Sequence, residues 1–141
     1  MTPREYTNGG ISTVEMLDGI HDLIEQAKSD HPGISDDDLV QFETAVSEIA
    51  TNVIRHGRPP GQVRYEFLLT VGPDRIAATL SDSGAAFEPR LSAPMPEPGD
   101  NLDDLQEGGR GLVLARDMLH ELIYRRTGDR NVWIMARELK A

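Results

Sequence analysis

The hydrophobic positions of this chain change their period several times, and each change marks an element. From Val14 to Ala27 the residues Val14, Leu17, Leu23, Ile24 and Ala27 recur at helical spacing, which predicts a first helix with Thr13 as its N-cap. Ahead of it, the polar stretch from Arg4 to Thr7 predicts only a short strand, ending at Gly9-Gly10. The run His31-Pro32-Gly33 breaks the helix. Ser35, followed three residues later by Asp38, then forms a capping arrangement, and Asp36, Asp37 and Asp38 suit the positive end of a second helix. That helix is expected to reach about His56 and to stop at Gly57-Arg58-Pro59-Pro60-Gly61. Leu39, Phe42, Val46, Ile49 and Val53 form one stripe along it at about 100° per residue, so that stripe should face a sheet.

Beyond Gly61 the chain turns β-rich. The runs VRYEFLLTV and RIAATLSD, joined through Gly72-Pro73-Asp74, predict a hairpin whose second strand breaks at Gly84. Residues 88–109 carry Pro89, Pro94, Pro96, Pro98, Gly99, Gly108 and Gly109; a connection of that length within a domain points to a lid, placed at residues 91–108. A third helix is expected from about Arg110 to His120, and LIYRR, Thr127-Gly128-Asp129 and NVWIMARE predict a second hairpin. The order helix, helix, two strands, helix, two strands predicts an α+β two-layer sandwich, with the helices on one face of a mixed β-sheet. A length of 141 residues fits a single domain, residues 1–141.

Charge narrows the partners. Twenty-four acidic against 14 basic residues give a formal charge of −10, which repels a phosphate backbone and an anionic lipid surface, so direct nucleic-acid or membrane binding is not expected. With no cysteine there are no disulfides, thiolate metal sites or cysteine nucleophiles. The start MTPREYTNGG lacks the apolar run of a signal peptide, and no apolar stretch approaches the roughly 20 residues of a membrane span, so a cytoplasmic location is expected.

Three groups carry candidate chemistry. Glu48 and Asn52 sit one turn apart on a flank of the second helix, with Gln41, Thr44 and Arg55 along the same polar strip. They are either a solvated surface pair or a magnesium site, in which Asn52 gives its amide oxygen to the cation and Glu48 serves as base or water orienter. Asp82-Ser83-Gly84 lies where an apolar strand ends. It is either a plain turn or a reader of an exocyclic amine such as adenine N6, the glycine letting a flat ring approach. Glu107-Gly108-Gly109-Arg110-Gly111-Leu112 leads into a helix and is either a hinge or an anion site of free backbone N–H groups. It is neither a Walker loop nor a dinucleotide fingerprint.

In this order the three groups resemble the nucleotide-binding fold shared by gyrase-type ATPases, histidine kinases and MutL, the Bergerat or histidine-kinase-like ATPase fold. The likeness is greatest to the small stand-alone branch of anti-sigma factor serine-protein kinases: AVSEIATNVIRHG (Ala45 to Gly57), DSGAAFEP (Asp82 to Pro89) and EGGRGLVLARDML (Glu107 to Leu119) resemble its three boxes over about residues 12–139. The resemblance implies an ATP pocket between helices and sheet. Glu48 would be the catalytic glutamate, Asn52 the magnesium ligand, Asp82 the adenine reader and Gly84 its companion, while Gly108, Gly109, Arg110, Gly111 and Leu112 would bind the phosphates. It also implies a homodimer that holds a sigma factor inactive and phosphorylates a serine of an anti-sigma antagonist protein of the STAS type. A non-catalytic, ATP-gated partner-binding switch is the alternative.

The chain departs from that pattern at two positions. Ala86 stands where a glycine is usual before Phe87, and Asn131 stands about where a threonine is common near the start of the last strand; both point to altered or weakened nucleotide affinity rather than its loss. His21 and His31 are expected to be solvated, and His56 to favour the helix dipole. His120-Glu121-Leu122 resembles a phospho-acceptor motif but follows the last nucleotide box, which argues against that role. Trp133 and Tyr124 are expected to pack on the sheet or on a dimer surface.

Overall fold

Residues 64–71 and 75–82 bury every second side chain, the signature of strands with one face covered. The computed structural model describes residues 4–59, 61–86 and 107–140, with backbone alone given for 107–110. Its elements are β1 (Arg4–Ile11), α1 (Glu15–Asp30), α2 (Asp36–His56), β2 (Arg64–Val71), β3 (Arg75–Asp82), α3 (Glu107–Met118), β4 (Glu121–Thr127) and β5 (Arg130–Glu138). The strands form one five-stranded sheet in the order β1-β2-β3-β5-β4.

The α+β two-layer architecture is the expected one, with one correction. Every pairing is antiparallel, so the sheet is not mixed. The reason lies in the crossover: α3 carries the chain from β3 past one strand position to β4, and the hairpin return fills the gap with β5. β3 and β4 run the same way but never become neighbours. The β4–β5 turn is the two-residue pair Gly128-Asp129, with Gly128 at φ +61, a conformation that costs glycine little.

One face of the sheet carries Tyr65, Phe67, Leu69, Ile76, Leu80, Trp133 and Met135, all buried against the helices. The α2 stripe is buried as its spacing predicts, and Ser35 caps α2 by accepting the Asp38 N–H at 3.1 Å. α1 differs from expectation. Its buried residues are Met16, Ile20, Ile24 and Ala27, whereas Val14 is 67% exposed and Leu17 and Leu23 only partly buried. Val14, not Thr13, is the N-cap, and Thr13 spends its hydroxyl on the Glu15 carboxylate. β1 is longer than expected and runs through Gly9 and Gly10 to Ile11, because all of its residues through Ile11 pair with β2.

Asp38 does more than begin α2. Only 1% exposed, it accepts from Arg137 Nε at 3.0 Å and from the Lys140 backbone N–H at 3.0 Å, while Arg137 Nη1 donates to the Met118 carbonyl at the end of α3. One ion pair thus ties the start of α2, the end of β5 and the end of α3. Burial alone pushes a carboxyl up, but the Lys140 N–H, Arg137 and Ser35 hold Asp38 below the usual carboxylate range.

Removing the carboxylate should leave Arg137 buried and unpaired. Asp38→Ala is expected to cost roughly 3 kcal/mol in urea unfolding, the low end for breaking a buried pair because Arg137 keeps its bond to the Met118 carbonyl. A folded-state pKa below the unfolded value means that this stabilisation is present above about pH 3.9 and fades as pH falls through the folded value. The gap between wild type and Asp38→Ala should therefore narrow in acid; a gap that stays constant to pH 2 would show that the carboxylate charge contributes nothing.

Candidate functional site

The far end of α2 lies over the far end of β3 and β5. There α2 supplies Asn52, Val53, His56 and Gly57, the strands supply Asp82, Asn131 and Trp133, and Ala85 completes the wall of a single cleft. The strand residues meet by register: Asp82 is paired directly with Asn131, and Trp133 lies two positions on, on the same face.

Asn52 is 5% exposed, which removes the surface-pair reading for it. Its side chain makes no hydrogen bond among the described residues, and its Nδ2 is enclosed without a partner. An amide buried in that state, at the wall of a cleft, has hydrogen-bonding capacity left over for a water or a polar ligand. Glu48, one turn earlier, is half-buried and does not line the cleft. It faces α3 instead, where a Cβ on Gly111 would stand 2.6 Å from Glu48 Oε2. Only a glycine at 111 lets α3 approach the carboxylate so closely.

Asp82 is 3% exposed and held by one oxygen: its Oδ1 accepts the Gly84 N–H at 2.8 Å and an Asn131 Nδ2 hydrogen at 2.9 Å. Gly84 is needed for a different close approach from the one expected: a Cβ there would meet Asp82 Oδ1 at 2.9 Å and Val63 at 3.2 Å, and Gly84 does not line the cleft. The glycine-rich segment differs from expectation, because Glu107 to Leu112 already belong to α3, so Gly108 and Gly109 sit in the helix rather than before it. The backbone N–H groups of its first turn lack helical partners, as an anion site requires. Leu112 is fully buried in the hydrophobic core and does not reach the cleft. Of Gly108, Gly109 and Arg110 only the helical backbone is described, and residues 91–106 of the expected lid, with Phe87, lie outside the described residues.

His56 was not singled out for this site, although it follows Asn52 by four residues on one helix face. It is not the cationic helix end expected: burial, then the charges of Arg55 and Arg58, hold its imidazole below the usual histidine range, and Nε2 is enclosed without a partner. His31 Nε2 is likewise enclosed rather than solvated. His21 is exposed as expected but paired with Glu43 at 2.9 Å. His120 accepts the Glu138 N–H through Nδ1 at 2.9 Å, which ties it into the structure. Trp133 is buried with its ring centroid 4.8 Å from that of Tyr124, so it belongs to the cleft and core rather than to an outer surface.

The cleft is narrow, with about 20 Å³ of free space, room for about one water. A flat base enters it only if side chains on its walls move. The donor set fits magnesium held chiefly by a polyphosphate: one carboxamide, with no cluster of carboxylates that would saturate the ion without phosphate. Among the described residues, the one group of three metal-capable side chains, His21, Glu25 and Glu43, lies on α1 and α2 away from this cleft.

Comparison with known proteins agrees with this fold. The chain is 32% identical over 104 residues to the serine-protein kinase RsbW of Staphylococcus epidermidis, and 30% identical over 106 residues to RsbW of Staphylococcus aureus strain Newman. Each match covers 68% of this chain and 64% of the relative, so the chain spans about two thirds of the length of those kinases. In fold it resembles the crystal structure of the RsbU and RsbW domains of Rv1364c from Mycobacterium tuberculosis, with a TM-score of 0.62 over 100% of this chain and 34% of that one, at 14% identity. No helix among the described residues is long and apolar enough to cross a membrane. Residues 12–137 match the histidine kinase-like ATPase domain, and the chain belongs to that family.

Proposed function

We propose that the chain is an ATP-dependent protein-serine kinase that also restrains a sigma factor, acting as one domain and as a homodimer in the cytoplasm. The observation that carries this is the buried Asn52 amide, its Nδ2 unpartnered among the described residues, lining one cleft with Asp82. In this reading Asp82 accepts a hydrogen from the adenine amine, and the first-turn N–H groups of α3, including those of Gly108, Gly109 and Arg110, receive the phosphates. Asn52 holds magnesium, which neutralises charge on the phosphate oxygens when bound. Glu48, kept against α3 by Gly111, orients or takes the proton of an incoming serine hydroxyl from an antagonist protein of the STAS type. Catalysis then comes mainly from positioning and electrostatics. Similarity to RsbW, named a serine-protein kinase, supports the reaction class.

A second reading keeps the binding and drops the transfer. In it, nucleotide gates a partner-binding surface without phosphorylation. Asn131, whose hydrogen bonds draw Asp82 and the Ala85 carbonyl together, favours this alternative.

The nucleotide part is tested by calorimetry with magnesium. ATP should bind more tightly than GTP, and Asp82→Asn should erode that preference. Equal binding of the two nucleotides by the wild type would remove Asp82 as the base reader.

The transfer part is tested on the co-purifying antagonist by a time course of phosphoserine. Glu48→Gln should keep ATP binding and slow phosphorylation by about 10²–10⁴-fold, the share of a positioned general base. Gly111→Ala, whose methyl would stand 2.6 Å from Glu48 Oε2, should act in the same direction by displacing that carboxylate. Asn52→Ala should lose both binding and transfer. A wild type that binds ATP but leaves a confirmed antagonist unphosphorylated would select the switch.

A further inference from the structure

Asn131 makes the most completely satisfied polar contacts at the cleft. It is 4% exposed. Its Nδ2 donates to Asp82 Oδ1 at 2.9 Å and to the Ala85 carbonyl at 2.8 Å, and its Oδ1 accepts from the Tyr124 hydroxyl at 2.5 Å and from Arg126 Nη1 at 3.1 Å. An amide offers two hydrogens and two lone pairs, and here all four are used. The pattern also fixes which way the amide points. A guanidinium has no lone pair to offer, so the atom facing Arg126 must be the oxygen, and the nitrogen must face Asp82.

Arg126 extends the lock. The same Nη1 donates to the Gly84 carbonyl at 2.8 Å, so one cation holds both the amide oxygen of Asn131 and the backbone beside Asp82. Asp82 Oδ1 is then saturated by the Gly84 N–H and by Asn131. Its Oδ2 takes no hydrogen bond among the described residues and is left to accept from a ligand, since Asp82 lines the cleft. The wall therefore presents a fixed acceptor rather than a side chain free to rotate toward either kind of partner.

We infer that Asn131, oriented by Arg126 and Tyr124, is the positioning residue that makes Asp82 selective for a purine carrying a donor amine. The inference rests on the nucleotide-binding reading above and adds the residues that set its base preference. A base with a carbonyl in place of the amine would set oxygen against oxygen at Asp82, and no rotation of the pinned carboxylate relieves it. A site built around a buried hydrogen bond rejects the analogue that lacks the group more strongly than an apolar pocket does.

The test measures the affinities of ATP and ITP with magnesium, side by side; ITP carries a carbonyl where ATP carries the amine. The wild type should prefer ATP by about 10-fold or more, one good hydrogen bond to a charged acceptor. Arg126→Met removes the lock from an exposed position, so the variant should fold as the wild type does and lose most of that preference. Asn131→Leu should lose it as well, and circular dichroism and the melting temperature tell misfolding from misreading. Asn131→Asp is the more pointed probe. Two carboxylates at hydrogen-bond distance retain a proton between them, so its ATP-to-ITP ratio should vary between pH 5 and 8 while that of the wild type stays flat. A purely structural role for Asn131 predicts no such pH dependence.

A wild type that binds neither nucleotide overturns the nucleotide-binding reading, and the inference with it. A wild type that prefers ATP, alongside folded Arg126→Met and Asn131→Asp variants with the same ratio at every pH, overturns the inference alone.

Discussion

The ion pair between Asp38 and Arg137 fixes where α2 lies on the sheet, and the site at the other end of the helix depends on that placement. Asn52 follows Asp38 by 14 residues, a rise of about 21 Å along a helix. Asn131 precedes Arg137 by six residues, about 20 Å along a strand, and both point to the covered face of β5. Helix and strand therefore span the same distance from the same anchor, so the pair at one end brings Asn52 to Asp82 and Asn131 at the other. Between them Phe42, Val46, Ile49 and Val53 bury the helix against the sheet and forbid rotation about its axis.

Within that frame the polar groups divide their work. Asp82, Gly84, Asn131 and Arg126 form a satisfied network on the strand side, rigid because each donor has an acceptor. Asn52 and His56 on the helix side each have an enclosed nitrogen with no partner among the described residues. Satisfied polar groups hold shape, whereas unsatisfied ones carry an energetic cost that a ligand can relieve. On the function proposed above, the unsatisfied wall is the one a ligand would complete, and the satisfied wall the one that would orient it. α3 adds the third side, with Gly111 allowing it to close on Glu48.

Much of this was legible in the sequence because it depends on local spacing. The α2 stripe, the Ser35 cap, both hairpins and the three boxes are all read from residues close in the chain, and the two box residues Asn52 and Asp82 line one cleft. What was not legible depends on partners far apart. The sequence spacing of α1 favoured Val14 over Met16 and Ile20 because it could not see which face β1 and α2 would cover. Arg137 looked like one more charge in a final strand, since its partner lies 99 residues away. Asn131 was visible only as a departure from a pattern. That it holds Asp82 followed once the antiparallel register set the two side by side, and that register itself was hidden by the insertion of β5 between β3 and β4.

The central claim is that the end of α2, the Asp82 turn and the Asn131 end of β5 form one nucleotide site. Amide chemical shifts recorded during titration with ATP and magnesium test it most directly. The account predicts that the largest shifts cluster at Asn52, Gly57, Asp82, Gly84, Ala85, Gly111 and Asn131, with the uncovered face of the sheet at Leu68 and Thr79 unmoved. Saturable shifts centred on that uncovered face, with Asn52, Asp82 and Asn131 silent, would contradict it.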